Sequence, residues 1–342
     1  MSTQTHDDTE RWPSGDWSHL SGEQRIAIED LLRALLECEH QGTRPGEATL
    51  AAMANISHER ALPGLMMSAR CGFALTEGGQ WSLTPEGREL AVLVMRAHRL
   101  METKLARLSS VPAAEWHGIA HRREHTLSRG QVESLAAELG HPRFDPHGDP
   151  IPTREGLLPA RQGVELLDWP AGASGVILHI EDEPAVLYRK LEKAGVHAGM
   201  RFRRLAARAA AKPAGGNFLG PCHLMLEARA VALEPELAAL VRVGPLPEGD
   251  EDVPADAFRL SDLPASQSAC MVGLLPGCRG AERSRLLDLG FVPGSVIEHR
   301  LANPLGGSVA YHVRGTLIAL RQSQAEQVLV RPAAAPATEV SP

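Results

Sequence analysis

Apolar residues near the start of the chain recur at helical spacing, with Ile28, Leu31, Leu32, Leu35 and Leu36 forming one stripe. Ser21 followed by Gln24 has the spacing of a capping box and predicts where that helix begins. Glycine and proline over 42–46 end it. A short helix is expected through Leu50, Met53 and Ile56, and Ser57 is placed to cap a third that ends near Cys71 and Gly72. Phe73 to Thr84 reads as two short strands about Glu77, Gly78 and Gly79. Three helices and a hairpin predict a winged helix-turn-helix over 21–87, preceded by a flexible lead at 1–20.

Thr84 next to Pro85 predicts another helix start, since threonine caps and proline suits the first turn. A further helix is expected from about Ala113, and Ser128 with Gln131 opens one more that Gly140 stops. The run HPRFDPHGDPIP at 141–152 is too rich in proline and glycine for regular structure and marks the edge of this helical region, 88–152.

Beyond it the pattern turns to short β-like runs that repeat. Asp168-Trp169-Pro170, a strand at 175–180, a helix ending at Gly195 and then Gly199 recur as Asp262-Leu263-Pro264, a strand at 270–274, a helix ending at Gly290 and then Gly294. Each copy continues with strands, a short helical turn and a last strand. Two small β-barrels in tandem, 160–244 and 256–332, fit this pattern. Between them 244–257 carries three prolines and five acids, as a solvated linker should. The alanine- and proline-rich tail, 333–342, is expected to be disordered.

Candidate chemistry concentrates in the helical region. His117, His121, Glu124 and His125 share one face of the expected helix, an arc of roughly 100° at 3.6 residues per turn. Imidazole and carboxylate suit iron, manganese or zinc. The first and last of the four lie about 12 Å apart along the axis, too far for one ion. His121, Glu124 and His125 can close on one ion, and His117 needs other partners. His98 and Glu102, four apart on the preceding helix, supply them. The bland alternative is a solvated face on which these residues alternate with Arg122, Arg123 and Arg129.

Composition narrows the picture further. The formal net charge of −7 argues against a broadly basic nucleic-acid surface but leaves local phosphate contacts open. No apolar run approaches the length of a membrane span and the first twenty residues lack the form of a secretory signal, so a soluble, cytoplasmic protein is expected. Cys38, Cys71, Cys222, Cys270 and Cys278 form no CxxC pair and read as reduced thiols.

The stretch from Ser21 to Pro152 resembles the diphtheria-toxin-repressor family of metal-dependent transcriptional regulators. The residues that carry the resemblance are LTPEGRELAVLVMRAHRLMETKL at 83–105, HGIAHRREHTLS at 117–128 and LGHPRFDPHGDPIP at 139–152. The second repeat, with GCRGAERSRLLDLGFVPGSVIE at 277–298, looks like the small SH3-like domain of the ferrous-iron transport protein FeoA, and the first repeat like a diverged copy. These resemblances imply a winged-helix DNA-binding domain, a helical dimerisation domain and two SH3-like barrels. Fe²⁺ or Mn²⁺ would act as corepressor.

Carried over residue by residue, the family pattern places one site on His98, Glu102 and His117, and a second on His121, Glu124, His125 and Asp30 of the first helix. Such O and N ligands favour Mn²⁺ or Fe²⁺ over Cu(I), while Zn²⁺ would bind in vitro at least as tightly. His121 stands where the family usually has Cys or Glu. Pro63 and Gly64 fall inside the supposed recognition helix, which predicts a short reading helix if Pro63 is a first-turn residue. Ser57, His58, Arg60, Ser68 and Arg70 are its candidate DNA contacts. Over 21–152 there are 14 basic and 17 acidic residues, so attraction to phosphate must be local.

The implied function is a homodimeric, metal-dependent repressor of metal-uptake genes on a palindromic DNA operator, not an enzyme. The alternative is a cytosolic iron sensor or transport accessory protein with a degenerate reading helix.

Overall fold

Ser21 caps α1 (Gly22–His40) as the spacing predicts: its hydroxyl accepts from the Gln24 amide, and the Gln24 side chain accepts from the Ser21 amide. The computed structural model describes residues 17, 19–109, 111–206, 220–248, 253–302 and 307–333. Most of the expected lead, part of the acidic linker and nearly all of the tail lie outside them. The end of the lead departs from expectation, because Leu20 is buried and Trp17 packs on Phe73 with ring centroids 5.0 Å apart.

The stripe on α1 buries Ile28, Leu31, Leu32 and Leu35 in a core shared with α2 (Glu47–Met53) and α3 (His58–Arg70). Helix α2 is shorter than expected. Asn55 turns the chain with φ of 51° and leaves Ile56 beyond the helix. Helix α3 corrects the expectation of a short reading helix, since it runs for 13 residues with Pro63 in its interior. The proline removes one backbone donor. Its neighbour Gly64 has a packing reason, because a Cβ there would lie 2.7 Å from Leu31 Cδ1, so its absence lets α3 close on α1.

Strands β1 (Ala74–Glu77) and β2 (Gln80–Leu83) pair antiparallel, with Glu77 opposite Gln80. Gly78 and Gly79, at φ 58° and 79°, make the two-residue turn that suits twisted strands. Thr84 then starts α4 (Pro85–Leu108), its hydroxyl accepting from the Gly87 amide at 3.0 Å. The helical region continues with α5 (Trp116–Glu124) and α6 (Arg129–Glu138), and Leu93, Ala97 and Leu100 of α4 pack on Val132, Leu135 and Ala136 of α6.

The run 141–152 is irregular, as predicted, yet firmly tied. Asp145 Oδ1 accepts from the amides of His147 and Asp149, each at 2.9 Å. Arg99 and Arg96 of α4 donate to the carbonyls of Pro150 and Pro152, each at 2.6 Å.

The chain divides into two compact units, and the second holds the repeat. Its first copy contains β3 (Val164–Glu165), β4 (Ser174–Ile180), α7 (Ala185–Lys193), β5 (Arg201–Arg204), β6 (Cys222–Leu226), β7 (Arg229–Leu233), α8 (Pro235–Ala238) and β8 (Val241–Gly244). The second contains β9 (Phe258–Arg259), β10 (Ser268–Leu274), α9 (Gly280–Asp288), β11 (Val296–Ala302), β12 (Ser308–Val313), β13 (Thr316–Arg321), α10 (Gln322–Ala325) and β14 (Val328–Pro332). One sheet is ordered β3-β8-β4-β5-β6-β7 and the other β13-β12-β11-β10-β14-β9. Read from its other edge, the second order matches the first strand for strand, so the sequence repeat is a repeat of topology. Each sheet encloses its own apolar core, with Phe202 in one and Phe291 and Tyr311 in the other.

All five cysteines are free thiols. Among the described residues no helix is long and apolar enough to cross a membrane.

Candidate metal centre

Three helices, α1, α4 and α5, assemble the site. On α4, His98 and Glu102 stand one turn apart and are 5 % and 1 % exposed, on a face that a helix of ordinary amphipathic design would fill with apolar groups. Helix α5 meets it through His117, 3.5 Å from Glu102 Oε1, and Glu124, hydrogen-bonded to His98, while the buried Trp116 at its start donates its Nε1–H to Val111 O at 2.9 Å. The helix ends at Glu124, and His125 is its C-cap. That residue keeps right-handed helical dihedrals, so the predicted spacing of the four side chains persists one position past the helix end.

Ligand-type atoms fall into two groups, within each of which they lie no more than 4.8 Å apart: His98, Glu102 and His117, then Asp30, His121, Glu124 and His125. In the first, Glu102 Oε1 is 3.1 Å from His98 Nε2 and 3.5 Å from His117 Nδ1. In the second, Glu124 Oε1 is 3.1 Å from His121 Nδ1 and 3.3 Å from His125 Nε2, and Asp30 Oδ1 is 3.2 Å from His125 Nε2. The other oxygen of Glu124 is hydrogen-bonded to His98 Nδ1, so one carboxylate touches both groups.

Asp30 Oδ1 and His125 Nε2 are buried and neither makes a hydrogen bond. They face each other as an ion pair without hydrogen-bond geometry, which in a dry setting leaves part of their desolvation cost unmet. A cation between them would offset it, and the donor set of imidazole nitrogens and carboxylate oxygens fits a borderline divalent metal.

Electrostatics in the metal-free cluster follow from crowding. Burial pulls the His98 imidazole down, but the charges of Glu102 and Glu124 beside it outweigh that and raise it. Burial pushes both carboxylates up, and the neighbouring cations outweigh it, so both stay well below the usual range: His98 and His147 at Glu102, and Arg33 and His98 at Glu124. For His125, burial is again overcome, here by the adjacent Asp30, Glu29 and Glu124, and its pKa stands at about 9.

Sequence reasoning missed four residues of this neighbourhood. Asp145 and His147 form a third group with Glu102, with His147 Nδ1 3.5 Å from Glu102 Oε2. Their signal was in plain view, an acid and a histidine two apart, but proline and glycine around them read only as a loop. Burial and the charge of Asp149 push Asp145 up to about 7. Glu29 accepts from His125 Nδ1 at 2.6 Å. Arg33 Nε lies 3.9 Å from Glu124 Oε1. The last two stand on α1 beside Asp30, and no periodicity distinguishes them from surface charges.

The proposed DNA contacts are scattered by the fold. Ser57, His58, Arg60 and Arg70 are exposed. His58 Nδ1 lies 3.3 Å from Glu47 and Arg60 Nη2 3.8 Å from Glu23, so both already have acidic neighbours. Ser68 is a correction: it is fully buried, and its hydroxyl donates to Gly64 O at 2.8 Å within the helix, which leaves it nothing to offer a base. The outward stripe is instead Glu59, Leu62, Pro63, Met66 and Arg70.

Comparison with known proteins agrees with this organisation. Residues 84–153 match the family described as iron dependent repressor, metal binding and dimerisation domain, and residues 258–332 match the FeoA domain. The iron-dependent repressor IdeR of Mycobacterium leprae is 30% identical over 185 residues, spanning 49% of this chain and 79% of the relative. The diphtheria toxin repressor of Corynebacterium efficiens is 30% identical over 185 residues, spanning 50% and 79%. A solved manganese-dependent transcriptional repressor in complex with manganese superposes with a TM-score of 0.56 at 27% identity, covering 64% of this chain and all of that one. With its helical core, its acid and histidine clusters and these relatives, the chain belongs to the diphtheria-toxin-repressor family of iron-dependent repressors.

Proposed function

We propose that this protein is a transcriptional regulator that grips DNA when Fe²⁺ or Mn²⁺ is bound; its relatives are named as an iron-dependent repressor and a manganese-dependent transcriptional repressor. The observation that carries the reading is the pair of orphaned atoms on Asp30 and His125, which join α1 of the winged helix to the end of α5. Asp30, His121, Glu124 and His125 would hold one ion, and His98, Glu102 and His117 a second, with Asp145 and His147 beside it. A bound ion supplies positive charge that two buried carboxylates and neutral imidazoles can share. The chain's own contribution is to carry one ligand on the DNA-reading side and the rest on the helical core, so that ligand closure fixes the pose of α3. Only such a difference between the free and DNA-competent poses can shift their populations.

The domain plan that goes with this reading is a winged helix at 21–87, a dimerising helical domain at 88–152 and SH3-like barrels at 160–244 and 256–332. Supporting the barrels are the matched strand orders of the two sheets. In a two-fold dimer two copies of α3 would enter successive major grooves about 34 Å apart on a palindromic operator. Zn²⁺ would bind the same ligands in vitro. We assign no catalysis, since the curated relatives are named as regulators.

A second reading, an iron sensor or transport accessory protein with a degenerate reader, draws support from α3, whose outward stripe is largely apolar. Random-site selection from a DNA library, with Mn²⁺ and with chelator, separates the two. Enrichment of a two-fold symmetric site only with metal is the expected result. Enrichment of nothing overturns the regulator and leaves the second reading.

A further inference from the structure

We propose that Glu29 is a positioning residue of the metal centre: it holds the N–H of His125 on Nδ1, keeps the Nε2 lone pair facing Asp30 and Glu124, and so sets metal affinity without touching the metal. This inference rests on the metal-responsive reading above.

Geometry is the first support. Glu29 Oε2 lies 2.6 Å from His125 Nδ1, while Nε2 of the same ring faces Asp30 Oδ1 at 3.2 Å and Glu124 Oε1 at 3.3 Å. The two ring nitrogens are thus met by consecutive residues of one helix. A neutral imidazole has a single N–H, and a carboxylate at Nδ1 fixes it there, which leaves the lone pair at Nε2 for a ligand. Carboxylates that orient ligand histidines in this way also raise their basicity.

The second support is cost. Glu29 is 2 % exposed and stands between Ile28 and Leu31, both fully buried. Burying a carboxylate costs several kcal/mol after relaxation, and an apolar side chain would pack there without that penalty. What the acid meets there is His125 Nδ1, at 2.6 Å.

The test is an EPR-detected Mn²⁺ titration of the full chain and of Glu29→Leu, Glu29→Gln and Glu29→Asp, with the tautomer of the neutral His125 ring read by ¹⁵N NMR on the metal-free proteins above pH 9. Glu29→Leu is expected to bind Mn²⁺ roughly 10–100-fold more weakly and to lose the pure Nδ1–H tautomer, while its far-UV circular dichroism stays that of the parent. Glu29→Gln, whose amide oxygen still accepts from Nδ1–H, should recover most of the affinity and the tautomer. Should Glu29→Leu fail to fold, Glu29→Asp carries the test, because it keeps charge and burial but is one carbon short of the ring and should weaken binding likewise. Parental affinity in the leucine variant, or in the aspartate variant where the leucine one does not fold, overturns the inference. So does a glutamine variant as weak as leucine. If the parent shows no saturable Mn²⁺ binding, the metal-responsive reading itself fails, a result distinct from any of these.

Discussion

Asp30 Oδ1, on the first helix of the winged-helix region, lies 3.2 Å from His125 Nε2 at the end of α5, and neither atom has a hydrogen-bond partner. The pair ties two parts of the unit that are about 95 residues apart in sequence. Replacing Asp30 and His125 together with alanine should abolish cation-dependent DNA binding while leaving helix content unchanged. Gel shifts with and without Mn²⁺ and far-UV circular dichroism measure both. A double variant that still responds to metal as the parent does would break the proposed link.

Proton competition follows from the same histidine. In the metal-free protein its pKa stands at about 9, above the ordinary 6.5, because Asp30, Glu29 and Glu124 outweigh burial. A raised histidine pKa stabilises the fold in full below about 6.5 and is lost as pH rises through about 9. Metal needs the neutral ring, so the ion that binds His125 near pH 7.5 should release its proton, and affinity at that site should climb with pH toward 9. Calorimetric titration of Mn²⁺ in buffers of different ionisation enthalpy at pH 7.5 reads that proton directly. The unperturbed histidine value alone would have put the change near pH 6.5.

Much of the fold was legible because its signals are local. The capping boxes at Ser21 and Ser128, the glycine pair at 78–79 and the recurring glycines at 195, 199, 290 and 294 each fix a boundary through nearby chemistry. The division of His117 from His121 and His125 followed from helical rise alone. What escaped depends on contacts between distant segments. Glu29 and Arg33 differ from surface charges only through α5, and Asp145 and His147 acquire meaning only because Arg96 and Arg99 pin the 150–152 backbone to α4. Ser68 fails as a DNA contact for a related reason: its residue type suits a reader, but the helix turns it inward.

Arg99 supports this arrangement from beneath the site. It is 8 % exposed, donates to Pro150 O at 2.6 Å and pairs with Glu37 of α1 at 3.1 Å and Asp149 at 3.7 Å. Removing one partner of a buried ion pair leaves the others uncompensated and typically costs about 3–5 kcal/mol. Arg99→Ala should lower stability by about that amount in urea unfolding of the metal-free chain. It should also loosen the loop that carries His147. A change under about 1 kcal/mol, the ordinary worth of an exposed pair, would show that the network does not hold α1 and the loop to α4.

The outward face of α3 predicts how DNA is read. Leu62 and Met66 are 45 % and 44 % exposed, one turn apart, with Pro63 beside them, and Ser68 is turned away. The major groove offers apolar side chains one complementary feature, the C5-methyl of thymine. An operator isolated by selection should therefore carry thymines under this stripe, and replacing each with deoxyuridine removes the methyl and nothing else. Covering a methyl is worth about 0.8 kcal/mol, roughly fourfold in Kd for each thymine. Leu62→Ala with Met66→Ala should weaken the thymine operator and leave binding to the deoxyuridine version unchanged, because the partner of those side chains is already gone. Equal affinity of the parent for both operators would assign sequence reading to other groups, with His58, Arg60 and Arg70 at the edges of the same face as the next to test.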